Sequence, residues 1–338
     1  MRDVAPPLEL MKFSMRICML LFFVFIWTLG LAGAPDVNLP ESFLSLPADS
    51  SFVFSVDVKK IVASPLYQKA VGEQSAALEK KFDLMSGINL ARDIDYVAGA
   101  CMGAANAEAV VIVDGSFDRE KALRILQDKF HPVEKIYGKY QILAITEPGT
   151  DGATGVEKSV VFLNDRTLVI GDLEAVKNVL DVFEKKKPGI LSNPVIASAI
   201  QISNGEDMFW FAGDVESVMR SFPVNTPLMQ PGLNAVVSIK NIVGAMNFTE
   251  GFSGKITATA VDSPAAEKLA LSLQMIIDIA RSSGKENQEL KMLLNGLMLS
   301  RDAENINIRL NYPAGFFEQF MKALDGRKTE GSHVVNVP

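Results

Sequence analysis

The hydrophobic residues of this chain recur in two patterns, one typical of strands and one typical of helices. Residues 51–56 and 207–213 are rich in Phe and Val, which predicts one strand in each segment. After Ser263 and Pro264, which suit a helix N-terminus, apolar residues recur at helical spacing until Gly284. Strands and helices together predict an α+β fold. We interpret the apolar stripe of the helix that follows Ser263 as its core-facing side. The stripe is made of Ala266, Leu269, Ala270, Leu273, Ile276, Ile277 and Ala280.

The order of the predicted elements occurs twice along the chain. Asp57 ends the first predicted strand and Asp214 ends its counterpart, and a helix-compatible segment follows each of them. Gly99 and Gly244 occupy similar places near the ends of two later apolar stretches. Similar elements in the same order and at similar spacing predict an internal duplication.

We therefore predict two tandem related halves, residues 48–190 and residues 191–325. Each half is expected to form a mostly antiparallel sheet with helices on one face, similar to split-βαβ, ferredoxin-like arrangements. Residues 35–47 are predicted to be a linker before the first half. Residues 326–338 are polar and lack a core-forming pattern, so they are predicted to be a flexible tail.

The N-terminal segment has the pattern of an export signal. Residues 17–31 form an apolar run of 15 residues, whereas a membrane-spanning helix needs about 20, and small residues follow this run. We predict a signal peptide over residues 1–34, with Met11 as an alternative start, and hence a periplasmic or secreted protein. A proline next to the cleavage site would hinder cleavage. The alternative is therefore an uncleaved segment that anchors the chain to the inner membrane through residues 17–34.

The composition excludes several classes of function. Of the 338 residues 48% are hydrophobic, which is ample apolar material for a core. Asp and Glu total 40 against 33 Lys and Arg, and a net charge of −7 without a basic block does not fit a nucleic-acid-binding protein. The two Cys and two His are too widely spaced to form a zinc motif. We therefore expect no metal, no cofactor and no nucleic-acid partner.

Sequence motifs that carry catalysis are absent. The chain contains no Gly-rich phosphate loop, no HExxH, no CxxC and no GxSxG. The catalytic candidates are Asp57 and Asp214, because equivalent positions in two related halves can bring two carboxylates together, as in aspartic proteases. Neither residue begins the Asp-Thr/Ser-Gly turn of those enzymes. The interpretation that we favour is that each Asp caps the helix that follows it.

Two further residues are candidates for binding an apolar ligand. Trp210 lies between Phe209 and Phe211 in a predicted strand, where alternation places it on the opposite face from its neighbours. Core packing is the favoured role of Trp210, and a ligand platform is the alternative. Met229 lies in a proline-flanked segment, and methionine suits adaptable apolar surfaces.

Three segments of the chain resemble a group of exported bacterial proteins of unknown function. The sequence is LPADSSFVFSVDV over residues 46–58, GINLARDID over residues 87–95 and LVIGD over residues 168–172. In those proteins an opening LPAD segment enters the first strand of a duplicated α+β domain. The resemblance covers residues 46–325 through structural motifs. It implies an extracytoplasmic bacterial protein and brings no catalytic residues with it.

The export signal, the predicted duplication and the absence of catalytic motifs in the sequence together favour a non-enzymatic binding or assembly module of the bacterial cell envelope. Its partner is expected to be another envelope protein or an apolar ligand. Membrane contact is expected only through the N-terminal segment, and only if that segment is uncleaved. The alternatives are an envelope hydrolase that uses an unrecognised carboxylate pair and a carrier of an apolar ligand.

Overall fold

The structure, a computed structural model, describes most of the region that the sequence predicts to be folded. It covers residues 40–70, 87–103, 108–147, 156–202, 207–217, 238–249, 251–283 and 288–316. The predicted signal peptide, the candidate Met229 and the predicted tail lie outside the described residues.

The strands of the described residues form one antiparallel sheet of 12 strands. Most of them are rich in β-branched and aromatic residues, which suit a pleated and partly buried surface. In chain order they are β1 (Ser50–Asp57), β2 (Ile94–Met102), β3 (Glu108–Gly115), β4 (Val133–Tyr137), β5 (Tyr140–Glu147), β6 (Val156–Asn164), β7 (Thr167–Gly171), β8 (Phe209–Asp214), β9 (Ile239–Asn247), β10 (Phe252–Ala260), β11 (Leu297–Asp302) and β12 (Asn305–Tyr312). The order across the sheet is β11-β12-β10-β9-β8-β1-β2-β3-β7-β6-β5-β4.

Helices connect these strands, so the predicted α+β fold with a large antiparallel sheet is confirmed. In chain order the described helices are α1 (Glu41–Leu44), α2 (Val58–Ala63), α3 (Pro65–Ala70), α4 (Leu90–Asp93), α5 (Arg119–Phe130), α6 (Leu173–Phe183), α7 (Pro194–Ile202), α8 (Ser263–Ser283) and α9 (Gln288–Asn295). A short 3-10 helix (Ile190–Ser192) precedes α7. Helix α8 occupies the segment that its apolar spacing predicts, but its N-cap is Asp262 rather than Ser263, since the carboxylate of Asp262 accepts from the backbone N–H of Ala265 at 2.7 Å.

The two predicted halves share one sheet. At its centre β1 pairs antiparallel with β8, and Phe54 lies opposite Phe211. The remaining strands of the first half extend the sheet on one side of this pair, and those of the second half extend it on the other. The expectation that each half forms a sheet of its own is therefore wrong, because the first strands of the two halves pair with each other.

Helices cover both faces of the first half. On β3 and β7, Ile112 and Val169 face the core that contains the buried residues of α6. Their neighbours Val113 and Leu168 face the opposite side and pack with α5, whose Ala122 is buried there. The prediction of helices on one face is therefore wrong for this half. The physical reason is that both strands are continuously apolar, as strands buried on both faces are.

The segment that was predicted to be a linker contributes to the core. Helix α1 places Phe43 in the interior and Leu46 follows it, and both side chains are 0% exposed. The amide of Asn193 holds the next turn by donating to the backbone oxygens of Ala48 and Ser50, at 3.0 and 3.1 Å. Residues 40–47 thus belong to the folded domain, and the linker prediction is wrong for them.

Phenylalanine rings of the central strands lie directly on glycines of the neighbouring strands. A Cβ atom added to Gly99 on β2 would lie 2.3 Å from a ring carbon of Phe54. A Cβ atom added to Gly244 on β9 would lie 2.3 Å from the equivalent ring carbon of Phe211. Glycine is therefore required at both positions because the ring occupies the space of a side chain.

Candidate functional site

The inner side of helix α8 packs as the sequence predicts. Ala266 and Leu269 are buried in a cluster with Ala258 and Ala260 of β10 and Ile306 of β12. Ile277 is buried two turns further along the helix. This side holds α8 against the sheet in the second half of the chain.

The outer side of α8 is also apolar, although it faces solvent. Leu271, Met275 and Ile279 follow one another at four-residue spacing, and Ile276 lies on their flank. Their exposed fractions are 63% for Leu271, 58% for Met275, 60% for Ile276 and 56% for Ile279. We call these four residues the outer stripe.

An outer stripe of this kind is unusual for a helix on a protein surface. A surface helix normally has one apolar face toward the core and a polar face toward water. Contiguous exposed apolar side chains in a monomer mark interaction sites, whereas single exposed ones need no explanation. The outer stripe therefore marks α8 as a candidate docking surface.

Charged residues stand at both ends of the outer stripe. Glu267 and Lys268 precede it, and Asp278 and Arg281 lie at its far end. All four side chains are exposed. Arg281 lies 3.7 Å from Asp278, and Glu267 lies 3.9 Å from Arg301 on β11. Arg281 also donates to the backbone oxygen of Leu294 at 3.2 Å, and Asp278 accepts from the amide of Gln274 at 2.9 Å. Ion pairs between exposed groups are weak, so a partner's charges can replace them.

The structure does not bring Asp57 and Asp214 together. They end strands that run antiparallel to each other, and the backbone N–H of Asp57 donates to the oxygen of Met208 at 2.8 Å. Asp214 lies at the opposite end of β8, so strand geometry separates the two residues by about 20 Å. A shared proton or a shared water between these carboxylates is excluded by that distance.

Each of these two carboxylates instead bonds to the helical turn that follows it. Asp57 accepts a hydrogen bond from the backbone N–H of Lys60 at 2.9 Å. Asp214 accepts from the backbone N–H of Glu216 at 3.0 Å and from the hydroxyl of Ser217 at 2.7 Å. This is the geometry of a helix N-cap.

Trp210, the candidate ligand platform, is a core residue. Its side chain is 3% exposed, and its ring centroid lies 5.1 Å from that of Phe43. A ligand could reach this ring only by displacing other core side chains. Met229 lies outside the described residues, so its position does not bear on a ligand site.

Polar groups buried near Trp210 are paired among themselves. The hydroxyl of Tyr96 hydrogen-bonds to that of Ser55, and burial raises the pKa of the Tyr96 hydroxyl above its ordinary value. Asp114 accepts from the hydroxyl of Thr167 at 2.7 Å and from that of Ser42 on the chain of α1. The contacts of Asp114 join the segment of α1 to the sheet.

The described residues offer no site for metal or thiol chemistry. No group of three or more His, Cys, Asp or Glu among them is placed to hold a metal ion. Burial raises the pKa of the Cys101 thiol, so the reactive thiolate is disfavoured at neutral pH. Within the same residues, no helix has both the length and the hydropathy that crossing a membrane requires.

The outer stripe is not among the features predicted from the sequence. Ile276 is predicted to face the core, but its side chain is 60% exposed, so that prediction is wrong. The signal was present in the sequence, since Leu271, Met275 and Ile279 form a second apolar row at helical spacing. A helix with two apolar rows on different sides is expected to be covered on both of them.

Comparison with known proteins does not assign the chain to a family. No family model matches it, and no curated protein matches it significantly. Crystal form I of TP0453 superposes with a TM-score of 0.40 at 9% identity, over 86% of this chain and 98% of that one. Crystal form III of TP0453 gives a TM-score of 0.44 at 8% identity, over 83% of this chain and 97% of that one. These similarities are too low to support an inference about function.

Proposed function

We propose that the protein is a non-enzymatic assembly module of the bacterial cell envelope, which binds a partner through the outer stripe of α8. The observation that carries this proposal is the exposure of four large apolar side chains on one helix whose opposite side already packs on the sheet. Fully burying one such side chain contributes about 1.5–3 kcal/mol. A partner that covers all four therefore gains a substantial driving force.

Binding is favoured over hydrolysis by the positions of the two candidate carboxylates. Asp57 and Asp214 are each engaged by the backbone of the following turn, at opposite ends of the central strand pair. A carrier of an apolar ligand gains no support from Trp210, whose ring is covered by Phe43. The outer stripe is a convex helix surface, and such a surface suits a macromolecular partner rather than a small molecule, which prefers a concave pocket.

Export to the envelope is part of the proposal and rests on the sequence. The apolar run of residues 17–31 and the small residues after it support a signal peptide that ends near residue 34. An inner-membrane anchor over residues 17–34 is compatible with the same function, because it keeps the folded domain outside the cytoplasm. The mass of the chain recovered from cells distinguishes the two: cleavage leaves an N-terminus between Gly33 and Asp36.

An internal duplication is also part of the proposal, and the strand registers support it. In β1 and β2 Phe54 pairs with Gly99, and in β8 and β9 Phe211 pairs with Gly244. Phe54 and Phe211 face each other at the centre of the β1–β8 pair. A local two-fold axis through that pair would exchange the two halves. A duplicated gene that kept the pairing of its first strand would produce this arrangement.

The test of the assembly function replaces the outer stripe with polar residues that keep the helix. The variant carries Leu271→Gln, Met275→Gln and Ile279→Gln, since glutamine is a good helix former. In envelopes of the native host that are crosslinked before gentle solubilisation, we expect the wild-type chain in a complex larger than a single chain. The triple variant is expected at the size of a single chain, with an unchanged melting temperature, because these side chains are exposed.

A control variant removes exposed apolar side chains elsewhere on the surface. Val133 and Ile136 on the edge strand β4 are 62% and 73% exposed, so Val133→Gln with Ile136→Gln lowers surface hydrophobicity without touching α8. We expect this control to remain in the large complex. The assembly function through α8 is contradicted if the triple variant stays in the complex, or if the wild-type chain is itself found alone.

A further inference from the structure

We infer, on the basis of the proposed function, that the partner covering the outer stripe is a second copy of this chain, with the two α8 helices packed antiparallel. Two-fold contacts between identical chains require a surface that complements itself. With Met275 on the two-fold axis, Leu271 lies opposite Ile279 of the second copy and Ile279 lies opposite Leu271. Each of these three apolar side chains therefore lies opposite an apolar side chain of the second copy.

The charges at the ends of the outer stripe are arranged for this pairing. With a rise of about 1.5 Å per residue, Glu267 lies within about 3 Å, along the helix axis, of Arg281 in the second copy. Lys268 lies within about 6 Å, along the axis, of Asp278 in the second copy, a span that a lysine side chain can bridge. Each dimer would contain both pairs twice. Opposite charges across the two-fold axis determine the orientation of the two helices more than they raise the affinity of the dimer.

A parallel pair of helices would place like charges side by side. In that arrangement Glu267 meets Glu267 of the second copy, and Arg281 meets Arg281. Because juxtaposed like charges are unfavourable, the charge pattern selects the antiparallel pair. Within the chain Glu267 lies 3.9 Å from Arg301, while Arg281 lies 3.7 Å from Asp278 and donates to the backbone oxygen of Leu294 at 3.2 Å. The antiparallel dimer exchanges the two ion pairs, which are weak between exposed groups, for pairs between the two copies.

The same charges favour a second copy over a lipid surface. Helices that lie on anionic membranes are rich in Lys and Arg on their polar face and carry large aromatic anchors. The outer stripe is flanked by two acidic and two basic residues and contains no aromatic residue. The chain as a whole has a net charge of −7, which disfavours an anionic bilayer.

The size of the outer stripe determines the affinity that we expect for the dimer. Stable interfaces bury about 800 Å² on each partner. The four side chains of the outer stripe and the charged residues around them can form the centre of such an interface, but they bury less than this area. We therefore expect a dimer that dissociates on dilution through the micromolar range, rather than a permanent one.

Sedimentation equilibrium of the purified full-length chain tests the dimer. The wild-type chain is expected to pass from monomer to dimer as its concentration rises. Glu267→Arg alone and Arg281→Glu alone are each expected to weaken the dimer about tenfold, since each places like charges together. The double variant with both reversals restores opposite charges across the two-fold axis, and its dissociation constant is expected to return to near the wild-type value.

Three outcomes would overturn the dimer. The first is a chain that stays monomeric at all concentrations while the stripe-dependent complex persists in envelopes, because the partner is then another protein and the assembly function stands. The second is a monomer that binds phosphatidylglycerol vesicles and loses that binding in the triple glutamine variant, because the stripe then contacts lipid. The third is a double charge reversal that is weaker than either single one, because the helices then do not pair antiparallel.

Discussion

Replacing Phe43 with Ala is expected to lower the free energy of unfolding by about 3–5 kcal/mol. The ring is 0% exposed and lies 5.1 Å from the ring of Trp210, between α1 and the sheet. Its removal leaves a cavity that the close-packed strands cannot fill. Urea denaturation followed by circular dichroism measures the loss directly.

The control for this variant is Ile136→Ala on β4. Ile136 is of similar hydrophobicity but 73% exposed, so its replacement is expected to change the free energy of unfolding by less than about 0.5 kcal/mol. Equal effects of the two variants would show that residues 40–47 lie outside the cooperative core, as a linker would.

Replacing Gly99 or Gly244 with Ala is expected to destabilise the protein by about 1–3 kcal/mol in each case. The new Cβ atom would lie 2.3 Å from the ring of Phe54 or of Phe211, far inside van der Waals contact. The two variants are expected to behave alike, because each glycine lies under the ring of the equivalent phenylalanine. Thermal unfolding measures the loss of stability in both variants.

A double-mutant cycle separates the ring contact from other causes. In the Phe54→Leu background, the Gly99→Ala substitution is expected to cost much less, since the smaller side chain leaves room for the Cβ atom. For Gly244→Ala the relief by Phe211→Leu is expected to be smaller, because the added Cβ atom would also lie 2.9 Å from Cγ1 of Ile256. A full loss of stability in both backgrounds would mean that backbone conformation, and not the ring, requires glycine.

The sequence was sufficient where a single pattern determines an element. The apolar spacing after Ser263 predicts α8, although the carboxylate that caps its first turn belongs to Asp262, one residue earlier than predicted. The N-caps of Asp57 and Asp214 follow from the same local chemistry. These features depend on residues within one or two turns of each other.

Features that depend on distant pairing could not be predicted in this way. Helix α1 has four residues, too few to show a period, so only the packing of Phe43 on Trp210 reveals that it is part of the core. The joining of both halves in one sheet depends on whether β1 pairs with β8, and strand order in the sequence does not determine pairing. The exposure of Leu271, Met275 and Ile279 could not be predicted for a related reason, because only the packing of α8 on the sheet shows which of its sides is covered.

The most direct test of the central claim, that the outer stripe is covered by protein in the envelope, is photocrosslinking in the native host. A photoreactive amino acid replaces Met275 in one strain and Ile136, an exposed residue of β4, in another. We expect a protein adduct from position 275 that runs at twice the mass of the chain, and none from position 136. A position 275 that gives no protein adduct, or the same adducts as position 136, would contradict it.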